Sequence, residues 1–354
     1  MGFSEIKSEK DLLKYKDLWK KIEKNPEMTV FQSYEWNVLL YRQWKKSLYN
    51  RIFSKVYIFS EEKMIVPLVA QKITFGFKWI GRKRGVYILG TDSYSDYLNI
   101  IYGENQEDHI LDFIKEILKL KMPLYLSRIR EDTQTCRLLN ENGIYPSTET
   151  VAVEVLLDKF SSKEEYTKSL SKSTRQNLRT ALNRMQKDNI RFHFEVIEGK
   201  LGEEMVAELL PIHLARIMDI NKRYKSCLNR ISNYFRRKKL KKIELHNNVV
   251  TEAMVKMDNA LTVVAYCNNE IGGYIFGFRE NEKIRIIQNC IKDEYKFYSP
   301  MFRGIYDFIC ELIGSSINSV DFTRGGEEYK YKLGGVETKL YSYVLVNLRG
   351  HNSL

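Results

Sequence analysis

The stretch Ser319–Gly335, SVDFTRGGEEYKYKLGG, concentrates groups that can do chemistry. Val320 and Phe322 alternate as the buried face of a strand would, with Asp321 between them. A carboxylate at a strand end can take the proton of an attacking amine. Arg324 and Lys330 can neutralise phosphate, and Gly325 and Gly326 let a backbone come close to a ligand. Glu328 and Tyr329 follow, the tyrosine a candidate acid for a leaving group. An ordinary charged surface turn would use the same residue types, so both readings stand. A second stretch, NCIKDEYKFYSPMFRG, places Ser299 as an N-cap and Pro300 in the first turn of a helix. The free N–H groups of such an end bind anionic oxygens, and Arg303 and Gly304 lie in that turn. A plainly capped helix is the alternative.

Further candidates lie apart from these. His213, in ELLPIHLARIM, sits on a long predicted helix and has either a site role or a structural one. Asp96 begins a predicted strand in the first half and is the other carboxylate that could face a cleft. Arg175 and Arg179 share a helix face and could bind a diphosphate, or simply be solvated. Trp36, or a nearby tyrosine, could stack on a nucleobase or pack the first core. GFKWIGRKRG, Gly76–Gly85, adds basic residues and glycines before Asp96. The histidines show no metal-ligand spacing, and the five cysteines include no C-x-x-C pair, so no metal and no disulfide framework are expected.

The elements that must position these groups follow from hydrophobic periodicity. The first half reads as a strand at Phe3–Ile6, a helix over Glu9–Glu23, a helix capped by Ser33, and a hairpin turning at Glu61–Glu62. A strand from Asp96, a helix over Gln106–Leu120 and further strands complete it. The second half has a basic helix over Lys163–Gln186, a strand, long helices over Gly202–Asn221 and Asn229–Lys256, a three-stranded meander, the helix Ser299–Ile313 and closing strands. The order repeats, which predicts a mixed α/β (α+β) sheet with packed helices, built twice. The polar segment around Phe160–Ser162 divides the chain into domains 1–160 and 161–354.

Length and charge bound the function. At 354 residues the chain suits two domains, and it contains no run of about 20 apolar residues that would span a membrane. The N-terminal MGFSEIKSEKDLLKYKDLWKK lacks the apolar centre of a signal peptide, so a cytoplasmic protein is expected. The net charge of +12 concentrates in Lys168–Lys187 and Asn221–Lys242, neither of which contains an acidic residue. Such a balance fits phosphorylated small molecules, nucleic acid or an anionic surface.

Three stretches resemble a known family: SKSTRQNLRTALNRM, NCIKDEYKFYSPMFRGIYDFI and VDFTRGGEEYKYKLGG. They are similar to the second domain of tandem GNAT-fold acyltransferases of the CelD-like branch, which serves cellulose and exopolysaccharide biosynthesis. FQSYEWN and DYLNI have weaker counterparts in the first half. The resemblance implies two tandem GNAT-like domains and transfer of an acyl group from acyl-CoA to the amine of an amino sugar. That sugar would be carried on dTDP or UDP, as in making anthrose-type surface sugars. It implies coenzyme A contacts from Asn289, Ser299, Pro300, Phe302, Arg303, Gly304, Arg324 and Lys330. Asp96, Asp321, Tyr298, Tyr329 and His213 would be catalytic candidates, and Trp36, Tyr97, Arg175, Arg179, Gly325 and Glu328 would face the acceptor. The GNAT Gln/Arg-x-x-Gly-x-Gly/Ala phosphate loop is absent, which leaves the pyrophosphate contacts open. The donor is expected in the second half, and assembly as a homodimer is compatible with this reading. Two other functions remain: a Fem-type transferase using aminoacyl-tRNA, and a non-catalytic basic binding module.

Overall fold

The computed structural model describes residues 2–61, 63–71, 85–91, 95–103, 108–223 and 249–346. The glycine-rich, basic stretch 76–84 and the basic segment 224–242 lie outside the described residues. The chain forms two compact units, Met1–Val151 with Thr338–Leu354, and Ala152–Glu337. The linear division at 160/161 followed a polar linker; the units change over within two strands, and the closing strand belongs to the first unit.

The first unit contains β1 (Gly2–Ile6), α1 (Glu9–Leu13), α2 (Lys16–Ile22), α3 (Tyr34–Lys46), α4 (Leu48–Phe53), β2 (Ser54–Glu61), β3 (Met64–Gln71) and β4 (Gly85–Ile88). After these come β5 (Ile101–Tyr102), α5 (Asp108–Lys119), β6 (Leu124–Arg130), α6 (Gln134–Glu141) and the start of β7 (Thr148–Leu156). The helix expected over Glu9–Glu23 is two helices, because α1 ends at Leu13 and the chain turns at Lys14 and Tyr15. Ser33 caps α3 as its type predicts, its hydroxyl accepting the Trp36 N–H at 3.2 Å. The strand expected from Asp96 is irregular until Ile101 and Tyr102, the pair that forms β5.

The second unit takes the rest of β7, then α7 (Lys163–Ser169), α8 (Lys172–Lys187), β8 (Phe192–Glu198), α9 (Glu203–Arg223) and α10, whose described part is 249–256. Then come β9 (Ala260–Cys267), β10 (Glu270–Glu280), β11 (Lys283–Ile291), α11 (Pro300–Leu312), β12 (Ser319–Arg324) and α12 (Glu328–Lys332), before β13 (Val336–Leu345) returns to the first unit. Its strands run in the order β7-β12-β11-β10-β9-β8, antiparallel except for the parallel pair β11/β12. Leu178, Ala181 and Met185 form the buried stripe of α8, while Lys172, Arg179, Arg184 and Lys187 are exposed. The single helix expected over Lys163–Gln186 breaks at Leu170 and Ser171, where Ser171 caps α8 by accepting the Thr174 N–H at 3.1 Å. One face of the sheet packs α11, through Met301, Ile305, Phe308 and Ile309, against Val263, Ile275, Ile286 and Val320. Each fully buried side chain of this kind contributes roughly 1.5–3 kcal/mol, so this layer holds β11 and β12 in place. The mixed α/β architecture in two units is the fold class that the repeated element order predicts.

Candidate active site

The site is built on the parallel pair. β11 and β12 pair through Lys283–Ser319, Ile284–Val320 and Arg285–Asp321, and no further rung joins them among the described residues. The last rung is held by charge. Arg285 donates through Nη1 to Asp321 Oδ2 and through Nε to Glu280 Oε1 at 2.9 Å. Asp321 Oδ1 accepts the Thr323 N–H at 2.7 Å. Asp321 is 0% exposed and Arg285 3%. Removing one partner of such a pair strands a buried charge, so this rung pins the point where the strands part. Beyond it Thr323 adopts φ +54°, and its hydroxyl takes the Ile286 carbonyl at 3.0 Å.

Two glycines are needed nearby. β10 and β11 slip register at Phe276/Gly277, and a Cβ on Gly277 would stand 2.0 Å from the Arg285 carbonyl oxygen. Gly325 has φ +112°, and the Glu327 carboxylate occupies the place of its missing Cβ.

The opening has one polar wall on β11 and one on α12, which follows β12. Asn289 of β11 stands close enough to Tyr329 of α12 for its amide to favour the ionised phenol. Burial, opposed by the Asn289 amide and the Arg216 charge and helped by Glu327, leaves the Tyr329 phenol raised to about 12. Its ring stands edge-on to Phe322 at 5.8 Å. Arg216, on α9, donates to the Asn289 backbone carbonyl. One turn earlier on α9, His213 meets the α9-facing side of β11. Its Nδ1 lies 3.3 Å from Cys290 Sγ and accepts from the Gln288 amide. Burial raises the Cys290 thiol, and a buried thiol of this kind is a poor nucleophile. Gln288 Oε1 is buried and has no hydrogen-bond partner among the described residues.

The other predicted residues are placed as follows. Ser299 occupies the N-cap position of α11 but has φ +52° and makes no side-chain cap bond, and Pro300 follows at the helix start. Arg303 is engaged by Asp307 through two bonds of 2.6 Å and lies over the Tyr306 ring, so its guanidinium serves α11 itself. Gly304 is buried against Ala265 and Phe192, and Phe302 packs against the same core. Tyr298 donates to Asp188 at 2.8 Å, which raises its phenol further. Lys330 is buried, not phosphate-facing: it donates to the carbonyls of Gly325 (2.8 Å) and Arg324 (3.2 Å) and pairs with Glu327. Arg324 is exposed, and Glu328 is an exposed partner of Lys332. Arg175 caps the end of α7 by donating to the Lys168 and Leu170 carbonyls, and Arg179 is exposed.

Asp96, Trp36 and Tyr97 belong to the first unit. Asp96 is half-buried in the irregular segment before β5. Trp36 is 0% exposed and donates to Ser95 at 2.9 Å, and Tyr97 is buried beneath Arg130, so both rings are core residues with no face for a nucleobase. Asp321, Gly325, Asn289, Tyr329 and His213 are therefore the predicted residues gathered around the opening and its α9 side. Arg216, Arg285 and Gln288 were missed. A glutamine inside the apolar run KIRIIQNCI, and an arginine three residues after His213, were the available signals.

Comparison with known proteins bears on the fold and on the family of the second unit. Residues 172–331, just under half of the chain, match the model of the family "Acetyltransferase (GNAT) domain". No curated protein matches the chain. The structure of FemX is similar over 98% of this chain and 98% of its own, with TM-score 0.55 and 12% identity. The C-terminal domain of a putative lysylphosphatidylglycerol synthetase from Agrobacterium fabrum is similar over 95% and 91%, with TM-score 0.54 and 11% identity. A protein of unknown function from Bacteroides thetaiotaomicron covers 98% and 100%, with TM-score 0.54 and 12% identity. At such identities these likenesses speak of fold. Among the described residues no helix is long and apolar enough to cross a membrane, and no group of His, Cys, Asp and Glu could hold a metal. The second unit thus carries a GNAT-type acetyltransferase domain, and the protein is an acyltransferase.

Proposed function

We propose that the protein transfers an acyl group from acyl-CoA to the amine of an amino sugar, with the donor thioester in the opening between β11 and β12. The observation that carries this is the parting of those strands just after the Arg285–Asp321 rung, beside the Asn289–Tyr329 pair. The neutral amine attacks the thioester carbon, the C–S bond breaks as the tetrahedral adduct collapses, and the thiolate leaves. Tyr329, whose phenol stays protonated up to about 12, can hand a proton to that thiolate and take back the one the amine nitrogen loses, so the step ends with an amide, a thiol and a neutral phenol. Asp321 does not act as the base here, because Arg285 and the Thr323 N–H occupy its oxygens; it fixes the strands. The start of α11 at Pro300 offers N–H groups to the coenzyme's pyrophosphate. A nucleotide-linked acceptor and the CelD-like branch rest on the signature at 321–330.

Isothermal titration with coenzyme A and acetyl-CoA tests the donor. Saturable binding supports the reading, and no binding to any acyl-CoA would end it. A second reading, aminoacyl transfer from charged tRNA, is favoured by the exposed basic face of α8 at Lys172, Arg179, Arg184 and Lys187. Offering acyl-CoA and aminoacyl-tRNA as alternative donors separates the two.

A further inference from the structure

Several arginines on the sheet of the second unit are neutralised by carboxylates: Arg285 by Asp321 and Glu280, Arg303 by Asp307, and Arg279 by Glu198. Arg216 is not. It is exposed, it has no acidic partner among the described residues, and it donates through Nη1 to the Asn289 backbone carbonyl, a neutral group. A guanidinium presents a fork of N–H donors, so most of this one is left for a ligand.

That carbonyl faces the opening. Ile275 and Asn289 stand opposite each other in the β10/β11 ladder, and three residues on the Lys292 N–H donates to the Gly272 carbonyl. Bonded and non-bonded pairs alternate along an antiparallel ladder, so Asn289 turns its C=O away from β10. On its other side β12 has already left, because the pairing ends at Arg285–Asp321. Arg216 therefore brings its charge into the opening from the α9 side. Tyr329 borders the same opening from α12, its ring edge-on to Phe322 and packed against the core beneath α11. Burial raises the Tyr329 phenol and the Arg216 charge opposes that rise, so the guanidinium acts within reach of the hydroxyl.

We propose that Arg216 is a catalytic residue, whose free N–H groups take the negative charge that develops on the thioester carbonyl oxygen. The inference rests on the acyl-CoA reading and adds the group that stabilises its tetrahedral adduct. When the nucleophile attacks the carbonyl carbon, the C=O π electrons move onto the oxygen. Arg216 donates hydrogen bonds to that oxyanion and keeps all its protons. The oxygen then re-forms C=O as the C–S bond breaks and its electron pair leaves on sulfur. The carbonyl oxygen faces α9 and the sulfur faces Tyr329, so each atom that gains electrons in turn meets its own polar group. A cation fixed on a backbone carbonyl before the reaction needs no rearrangement at the moment of attack.

Infrared spectroscopy of acetyl-CoA labelled at the thioester carbonyl carbon, bound to the full chain, tests this without an acceptor. The carbonyl stretch should fall to lower frequency on binding to wild type, return to its solution value in Arg216→Met, and lie between the two in Arg216→Lys. Affinity for acetyl-CoA, read by calorimetry, should stay within about threefold in both variants, because the interaction strengthens only as charge develops. Coenzyme A release with glucosamine, an acceptor with no anionic group, should show kcat lowered about 100-fold in Arg216→Met at unchanged KM for the amine. A carbonyl stretch that does not move in wild type, or moves equally in Arg216→Met, would overturn the role. So would a raised KM with kcat intact, which would make Arg216 an anchor for the acceptor. Each of these outcomes leaves the donor reading standing, whereas no binding of acetyl-CoA to wild type would end both.

Discussion

Among the described residues, each unit has one place where two parallel strands meet over a short rung and then part, and the two places have opposite fates. In the second unit the rung ends at Arg285–Asp321; in the first it is Val86–Leu124 and Tyr87–Tyr125, between β4 and β6. Both have a non-glycine residue at positive φ just past the rung, Thr323 at +54° and Arg128 at +58°. In the first unit the chain fills its own gap. Arg128 donates to the carbonyls of Gly90 and Thr91, its own carbonyl accepts the Leu98 N–H at 3.2 Å, and Trp36 seals Ser95 beneath it. Ser95, Tyr97 and Leu98 are all buried. In the second unit the corresponding gap is bordered by Asn289 and Tyr329, and β11 beside it carries a buried amide oxygen with no partner among the described residues. The same backbone device thus serves a packed core in one unit and suits a ligand in the other.

The charged rung carries the largest expected effect. Asp321→Ala leaves Arg285 buried without its closest partner and should cost about 3–5 kcal/mol, read from urea denaturation. A loss under about 1 kcal/mol would mean that the rung does not pin the strands. Trp36→Ala in the filled gap should cost about 3–5 kcal/mol as well, from a cavity where the ring packs, yet leave coenzyme A affinity unchanged wherever the variant is folded. Weakened binding in the folded variant would give the first unit a share in the donor site.

Tyr329→Phe is the next largest. It should lower kcat about 100-fold with little change in stability or coenzyme affinity, the signature of a proton donor. The sign of its pH dependence follows from the raised phenol. Its neutral form is favoured in the folded state, so the stability tied to it is complete below the ordinary tyrosine value of 10.0 and lost as pH rises through about 12. A falling limb in kcat that disappears in Tyr329→Phe should therefore lie above pH 10; finding it near neutrality would assign the role to another group. Glu328→Gln, at an exposed ion pair with Lys332, should change stability by no more than about 0.5 kcal/mol and leave kinetics alone.

The elements were largely legible in the sequence because alternation in ALTVVAYC, IGGYIFGFR and KIRIIQNCI, and caps such as Ser33 and Ser162, are local signals. The helix breaks at Lys14–Tyr15 and Leu170–Ser171 were not, since neither contains glycine or proline to mark them. Site residues were legible in part. Tyr329 and Asn289 lay in stretches that resemble a family, but residue type alone could not tell Arg303 or Lys330 from ligand-facing cations. Their partners, Asp307 and the 324–325 carbonyls, are chosen by backbone geometry. Arg285 reads as a polar position in a strand, and only pairing with β12 reveals that it meets Asp321.

Hydrogen–deuterium exchange of the full chain with and without coenzyme A locates the donor. The account predicts protection of β11, the start of α11 and residues 321–330, with β4, β6 and the segment 95–100 unchanged. Protection centred on β4 and β6 instead, or none at saturating coenzyme A, would contradict the assignment of the donor to the second unit.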